Sequence, residues 1–202
     1  MTVLMLKRVP IAFPALASPQ AIGEGDPAYG GKFVIDPKDT ALVTELEKAM
    51  ADVAKAKWKD DADAVLAGLI EDRKVAFEHR PYVSKKTRKP YAGFEGMFAL
   101  GTRTPISKPR PSVFDKAGEA LIVDGKALAT PAEIERAIYS GALVHAKVEF
   151  WAQDNSFGQR INCTLLGVRF AGEGERFGGG SAPAGAADFA EFDEDVDADD
   201  IL

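Results

Sequence analysis

The most chemically distinctive stretch of this sequence lies between residues 73 and 110, where cationic and aromatic side chains are interleaved. It holds ten Lys or Arg residues and only two acidic ones, Glu78 and Glu95. Cationic side chains neutralise nucleic-acid phosphates, and aromatic faces accept unpaired bases at roughly 1–3 kcal/mol per base without regard to sequence. The stretch therefore predicts a surface for single-stranded nucleic acid.

Individual roles follow from side-chain type. The candidates for phosphate contact are Lys85, Lys86, Arg88, Lys89, Arg103, Lys108 and Arg110. The candidates for base stacking are Tyr82, Tyr91 and, from a later strand, Trp151. Because side chains alternate between the two faces of a strand, either Trp151 or its neighbour Phe150 faces outward, and the sequence does not say which.

A simpler reading of the same stretch is that residues 85–89 form a solvated loop and that Phe94 and Phe98 belong to the core. Pro81, Thr87 and Pro90 favour a long β-hairpin or an ordered arm over a helix, since Pro interrupts helices. Both readings remain open from the sequence.

No catalytic motif is found in the sequence. His79 and His145 lie far apart, with no Cys or carboxylate at metal-ligand spacing. Residues 25–32 are similar to a phosphate-binding loop, but one residue too many precedes the Gly-Lys pair, so a flexible loop is expected. The alternating aspartates of residues 193–199 lack the glycine that a calcium loop requires. These observations favour a binding protein over an enzyme, without a cofactor or a metal.

The last fifteen residues, 188–202, read DFAEFDEDVDADDIL and contain eight acidic residues and no basic one. The chain has 31 acidic and 25 basic residues in total, so residues 1–187 retain 23 acidic residues and are slightly basic. A block of like charges stays solvated. Its interleaved apolar residues are suited to a basic, hydrophobic pocket on a partner protein. The predicted partner-binding residues are Phe189, Phe192, Asp199, Asp200, Ile201 and Leu202.

Composition divides the chain into three parts. Residues 176–187 are mainly small and include one Pro, which predicts a flexible linker between a domain of residues 1–175 and the acidic tail of residues 188–202. The single cysteine, Cys163, excludes an internal disulfide, and its apolar neighbours predict a buried structural thiol. No apolar run is long enough to span a membrane, so a cytoplasmic protein is expected.

Hydrophobic periodicity predicts a mainly β protein with helical connections. Strands are expected at residues 3–9, 31–36, 97–102, 121–123, 142–153 and 161–170, the last two joined as a hairpin. Pro10 and Pro14 are expected to end the first strand. Helices are expected at residues 37–57, capped by Asp39 or Thr40, at residues 62–71, and after the capping box that begins at Thr130. This arrangement suits an OB-fold-like Greek-key β-barrel followed by a disordered acidic C-terminal tail.

The sequence resembles the OB-fold single-stranded-DNA-binding proteins of tailed bacteriophages along most of residues 5–178. The resemblance is carried by LKRVPIAFP at 6–14, GKFVIDPK at 31–38, RPSVFD at 110–115, IYSGALVHAKVEFWA at 138–152, GQRIN at 158–162 and GERFGG at 174–179. Many family members have a different aromatic pattern, so the stacking residues named above depend on local chemistry.

The resemblance implies sequence-independent binding of single-stranded DNA during phage replication, recombination or repair, in the host cytoplasm. It also implies that the acidic tail recruits replication or recombination enzymes. Two alternatives use the same features differently. One is a protein–protein adaptor whose basic loop is only solvated, and the other is an RNA-binding OB module.

Overall fold

The computed structural model describes residues 1–21, 25–84 and 86–177. The strands in these ranges are β1 (Thr2–Gln20), β2 (Ala28–Ile35), β3 (Phe77–Glu78), β4 (Phe98–Pro105), β5 (Ser112–Phe114), β6 (Ala120–Val123), β7 (Lys126–Ala127), β8 (Leu143–Asn155) and β9 (Gly158–Gly172). The helices are α1 (Thr40–Trp58), α2 (Ala62–Glu71) and α3 (Pro131–Ala137), with a 3-10 turn (Lys59–Asp61) between α1 and α2.

The strands form a sheet in the order β3-β4-β2-β1-β8-β9-β5-β6-β7, which curls into a barrel. β1 pairs antiparallel with both β2 and β8, β2 pairs with β4, and β8 pairs with β9. Two contacts close the barrel. β5 pairs parallel with β9, and the hydroxyl of Thr104 in β4 donates to the carbonyl of Leu165 in β9 over 2.7 Å. This Greek-key connectivity confirms the predicted OB-like barrel with helical connections.

β1 is much longer than residues 3–9, because neither proline ends it. Three register shifts interrupt its pairing, and the first two lie between Leu6 and Val9 and between Ala12 and Ala15; the third lies between Ala15 and Gln20. Arg8 and Phe13 lie at the first two irregularities with positive φ values of 53° and 50°. Pro10 and Pro14 each follow such a bulge closely, where the absence of an N–H from the ladder costs little. The bends let β1 pair with β8 through its first half and with β2 through its second.

The barrel interior is apolar. Phe33, Leu100, Val144, Phe150 and Leu165 are fully buried, each on the inward face of its strand. Burial of each such side chain stabilises the fold by roughly 1.5–3 kcal/mol, so packing strongly favours the alternation of inward apolar and outward polar side chains along the strands.

α1 covers one side of this core and confirms the predicted helix. Its buried face includes Leu46, Met50 and Val53, at the spacing of one helical stripe. The Asp39 carboxylate caps its first turn by accepting from the Leu42 N–H over 3.1 Å.

Two other predicted local structures are confirmed and one is wrong. The β8–β9 hairpin forms, and the capping box at Thr130 begins α3 as expected, with Glu133 accepting from the Thr130 N–H over 2.7 Å. The expected flexible loop at residues 25–32 is wrong from Ala28 onward, since these residues form the start of β2 and pair with β4 in continuous register. In the described part of the chain, no helix combines the length and apolarity that crossing a lipid bilayer requires.

Candidate nucleic-acid interface

The outer face of β2 and β4 carries two cations. The strand register places Lys32 opposite Gly101 and Arg103 opposite Gly30. Because side chains alternate, Lys32 and Arg103 point away from the core face that holds Phe33 and Leu100. In OB folds, this face of the second and third barrel strands is the usual binding surface for oligonucleotides. Here those two strands are β2 and β4.

Four aromatic rings form a connected group on this side of the sheet, and we call them the aromatic platform: Phe13, Tyr82, Tyr91 and Phe94. The rings of Tyr82 and Tyr91 stack at 5.4 Å between centroids with 21° between planes. Phe94 is fully buried beneath them, 4.9 Å from the Tyr82 ring.

Phe13 lies edge-on to Tyr91 at 5.4 Å and nearly parallel to Phe94 at 6.3 Å. Phe13 is 47% exposed and Tyr91 is 37% exposed. Unpaired bases can therefore reach aromatic surface at the top of the platform, whereas Phe94 serves as its support.

A short basic loop separates the two tyrosines. Val83 and Pro90 form a single β-bridge, and the Ser84 N–H donates to the Lys89 carbonyl over 2.8 Å. This bridge brings Tyr82 and Tyr91 together although eight residues lie between them in the chain. The described cations of this basic loop, residues 84–89, are all exposed: Lys86, Arg88 and Lys89. The predicted ordered arm is therefore present, but as a compact loop rather than a long hairpin.

The cation Lys32 links the platform to the sheet. Its ammonium lies 4.6 Å from the centre of the Tyr82 ring. A cation over an aromatic face is attracted by the ring quadrupole. The arrangement places positive charge beside the stacked tyrosines.

Burial raises the pKa of Tyr82 to about 12, with further contributions from Tyr91 and from the Glu78 carboxylate. Because the folded-state pKa exceeds the ordinary value of 10.0, the folded protein holds this proton more tightly than the unfolded chain. Protonated Tyr82 should therefore stabilise the folded state fully below about pH 10, and this stabilisation should be lost as the pH approaches 12. Urea unfolding should show that raising the pH from 9 to 11.5 lowers the free energy of unfolding more in the natural protein than in Tyr82→Phe. Equal losses would contradict this assignment.

A second group of predicted residues lies apart from the platform. Trp151 is the outward-facing member of its pair, half-buried on β8, while Phe150 is buried in the core. The Trp151 indole N–H donates to the Thr164 hydroxyl over 3.0 Å, and the Lys108 ammonium lies 5.3 Å from the indole ring. Beside them is a cleft of about 250 Å³ lined by Lys108, Glu149 and Thr164, among others.

The two remaining predicted cations hold backbone carbonyls. Arg110 is partly buried and donates to the carbonyls of Leu16 and Ala17, at 2.7 Å and 2.6 Å from one guanidinium nitrogen. The guanidinium also lies 5.1 Å from the Tyr29 ring. Arg103 is exposed and donates to the Asp26 carbonyl. Arg110 therefore fastens the second half of β1, and Arg103 fastens the segment just before β2.

The structure thus divides the predicted residues among the platform with its basic loop, the pair formed by Lys108 and Trp151, and two arginines, Arg103 and Arg110, that bind backbone carbonyls. Phe13 and Lys32 were missed. Phe13 has no sequence signal, since its position depends on the β1 bulge. Lys32 could have been found, because it alternates with the apolar residues of β2.

Other predicted residues have simple outcomes. Cys163 is buried, as predicted, and this burial raises the pKa of its thiol. His145 lies on β8 and its Nδ1 accepts from the Arg8 N–H over 3.3 Å, as expected for a structural histidine. Lys85 lies outside the described residues, as does the predicted linker from residue 178 onward. The predicted tail contacts are also outside: Phe189, Phe192, Asp199, Asp200, Ile201 and Leu202.

Comparison with known proteins agrees with this geometry. Two solved structures share the fold. The single-stranded DNA-binding protein from bacteriophage Enc34 in complex with ssDNA is 21% identical, with a TM-score of 0.61 over 87% of this chain and 89% of that one. A C-terminal truncation of the same phage protein is 22% identical, with a TM-score of 0.64 over 87% and 88% of the two chains.

Sequence relationships are closer. Protein p50 of Acyrthosiphon pisum secondary endosymbiont phage 1 is 30% identical over 194 residues, which cover 95% of this chain and 92% of that protein. Residues 2–202 match the family described as Enterobacter phage Enc34, ssDNA-binding protein. With a barrel of the same fold and a basic, aromatic outer face, this chain belongs to the Enc34 family of phage single-stranded-DNA-binding proteins.

Proposed function

We propose that this protein coats single-stranded phage DNA without sequence preference, using the outer face of β2 and β4. The observation that carries the proposal is the stacked pair of Tyr82 and Tyr91 with the basic loop between them. Stacking is tolerant of sequence because every base has an aromatic face. The family membership and the shared fold support the same conclusion.

In this proposal, aromatic side chains bind the bases and cationic side chains bind the phosphates. Tyr91 and Phe13 offer exposed ring surface to bases, and Phe94 supports them from below. The cations Lys86, Arg88 and Lys89 meet the sugar–phosphate backbone as it passes the loop. Release of counterions from the phosphates supplies the sequence-independent part of the affinity. A duplex keeps its bases paired and stacked, so it can use only the charges.

The remaining predicted residues form a second contact region, apart from the aromatic platform. Lys108 and Trp151 provide a second place for a base and a phosphate, near the end of β4 that is remote from the basic loop. Arg103 and Arg110 add positive charge while they hold the segment just before β2 and the second half of β1.

The acidic residues 188–202 have a separate role in this proposal. Their charge and their apolar anchors, Phe189, Phe192, Ile201 and Leu202, recruit replication or recombination enzymes in the host cytoplasm. The protein acts as a binding and recruiting factor rather than as an enzyme.

Fluorescence titration with dT oligomers, duplex DNA and RNA of equal length tests the DNA part of the proposal. Single-stranded DNA should bind much more tightly than duplex. Equal binding of RNA and DNA single strands would favour an RNA-binding module. Absence of nucleic-acid binding would favour a protein adaptor instead.

Replacing Tyr91 with Ala should weaken binding of dT oligomers by about 5- to 150-fold, which corresponds to roughly 1–3 kcal/mol for one stacked base. The slope of log K against log salt should hardly change, because stacking releases no counterions. Tyr91→Phe is the matched control and should keep most of the affinity. If Tyr91→Ala lowers only the melting temperature, Tyr91 is a packing residue and not a contact to bases.

A further inference from the structure

The chain continues beyond β9 in a strap, residues 173–177, that returns to the aromatic platform. At its end, the Phe177 N–H donates to the Ser140 carbonyl over 3.0 Å. The Phe177 ring packs against Phe94 with centroids 6.4 Å apart. The hydroxyl of the same Ser140 accepts from the Phe13 N–H over 3.4 Å. Ser140 therefore binds the backbone of both the strap and Phe13, an exposed member of the platform.

The middle of the strap is held by closely fitted contacts. The Tyr139 hydroxyl donates to the Gly174 carbonyl over 3.2 Å and accepts from the Gly174 N–H over 3.1 Å. The Arg176 guanidinium lies 4.0 Å from the Tyr139 ring. A Cβ on Gly141, which has a φ of 105°, would lie 1.8 Å from the Glu175 carbonyl oxygen. The fit leaves the strap little freedom to shift sideways.

The ring of Phe177 also needs a glycine beneath it. A Cβ on Gly93 would approach the Phe177 ring to 2.3 Å, and Gly93 has a φ of 83°. Gly93 immediately precedes Phe94 in the loop that follows Tyr91. The strap is therefore fitted to the underside of the platform rather than lying on an unrelated surface.

We propose that Phe177 is a positioning residue for DNA binding: it holds Phe94, and Phe94 sets the places of Phe13 and Tyr82. This inference rests on the proposed function of the platform. Phe94 contacts Phe13, Tyr82 and Phe177, so Phe177 forms one of the walls that keep the buried ring in place. The DNA-binding unit then extends through Phe177, beyond the boundary at residue 175 that composition predicts.

Phe177→Ala, in the full-length chain, should weaken binding of a fluorescent dT oligonucleotide by about five-fold or more, part of the effect of losing a stacked base. The salt slope should stay unchanged, since no charge is removed. Phe177→Leu restores apolar bulk against Phe94 and should return affinity to within about two-fold. Leu128→Ala, an exposed apolar truncation with no ring contact to the platform, should have no effect.

A double-mutant cycle with Gly93→Ala separates positioning from general damage. The added Cβ should displace the Phe177 ring and weaken DNA binding in the natural background. With Phe177→Ala already present, the clash is gone and only the strain of a Cβ at this positive φ remains, so Gly93→Ala should cost clearly less affinity than in the natural background. Thermal melting of each variant shows that binding is measured on folded protein.

The possible outcomes distinguish failure of the positioning role of Phe177 from failure of the proposed function. If the natural protein binds dT and Phe177→Ala binds equally well, the positioning role is overturned while the proposed function stands. Additive effects of the two substitutions, or a loss in Phe177→Leu as large as in Phe177→Ala, would also overturn it. If the natural protein does not bind dT at all, the proposed function fails and this inference fails with it.

Discussion

Affinity for single-stranded DNA should fall steeply as salt rises, with a slope of log K against log salt of roughly −3 to −4. This value follows if about four to six phosphates are neutralised at about −0.7 per phosphate. Duplex DNA should bind far more weakly at every salt concentration, since it offers no unpaired base to the platform. Fluorescence titrations over a range of salt concentrations measure both quantities. A salt-independent affinity, or equal affinity for duplex, would contradict the proposed function.

The basic loop should account for much of that slope. Replacing Lys85, Lys86, Arg88 and Lys89 together with Ala should flatten the slope by up to about 2.8, the contribution of four phosphate contacts. A matched control removes four cations from α1 and the following turn: Lys48, Lys55, Lys57 and Lys59. The control has the same net charge but should keep nearly the natural slope. Equal flattening in both variants would mean that total charge, not the loop, sets the salt dependence.

The parts of the fold that depend on local periodicity could be predicted from the sequence. α1 follows from its apolar stripe and its Asp39 cap, and the β8–β9 hairpin follows from two apolar strands around a polar turn. In both cases the residues that determine the structure are neighbours in the chain. β1 was only half predicted, because its course past Pro10 and Pro14 depends on bulges fixed by pairing with distant strands.

The chemistry of the candidate site was predictable, but its geometry was not. Composition alone pointed to Tyr82, Tyr91 and the cations between them. That the two rings stack depends on one β-bridge between Val83 and Pro90, which no periodicity indicates. Phe13 joins them from β1, far away in sequence. The platform is therefore a tertiary feature, formed by segments that the barrel brings together.

The orientation of Trp151 illustrates the same limit. Alternation showed that either Phe150 or Trp151 faces outward, but both side chains are apolar enough to be buried. The core selects Phe150, which is fully buried among barrel residues. Trp151 can remain at the surface because its indole N–H finds the Thr164 hydroxyl. Core packing of Phe150 and a hydrogen bond of Trp151 across two strands thus together set which of the two side chains faces outward.

Removing the acidic tail should tighten DNA binding at low salt. The strap places Phe177 against the platform, and eleven residues further along the chain is Asp188, the first of the eight tail acids. Eleven residues span at most roughly 36–40 Å, so Asp188 cannot lie farther than this from Phe177. The tail acids therefore begin within reach of the basic loop. We expect their carboxylates to compete with DNA phosphates for the same cations.

Truncation after Ala187 keeps Phe177 and the strap while it removes all eight acids. We expect about three- to ten-fold tighter binding of dT oligomers at ~10 mM salt, where the Debye length is about 30 Å, and little change near 1 M salt, where it is about 3 Å. Unchanged or weaker binding at low salt would show that the tail does not compete for this surface, and would leave only its recruiting role.

A second variant separates competition from recruitment. Replacing Ile201 and Leu202 with Ser keeps every tail charge, so DNA affinity should match the natural protein at all salt concentrations. Capture of a purified phage or host DNA polymerase should weaken in this variant, because the apolar anchors at the chain end are gone. If the double Ser variant tightens DNA binding as truncation does, apolar contacts rather than carboxylates hold the tail near the platform. The electrostatic account of competition would then be wrong.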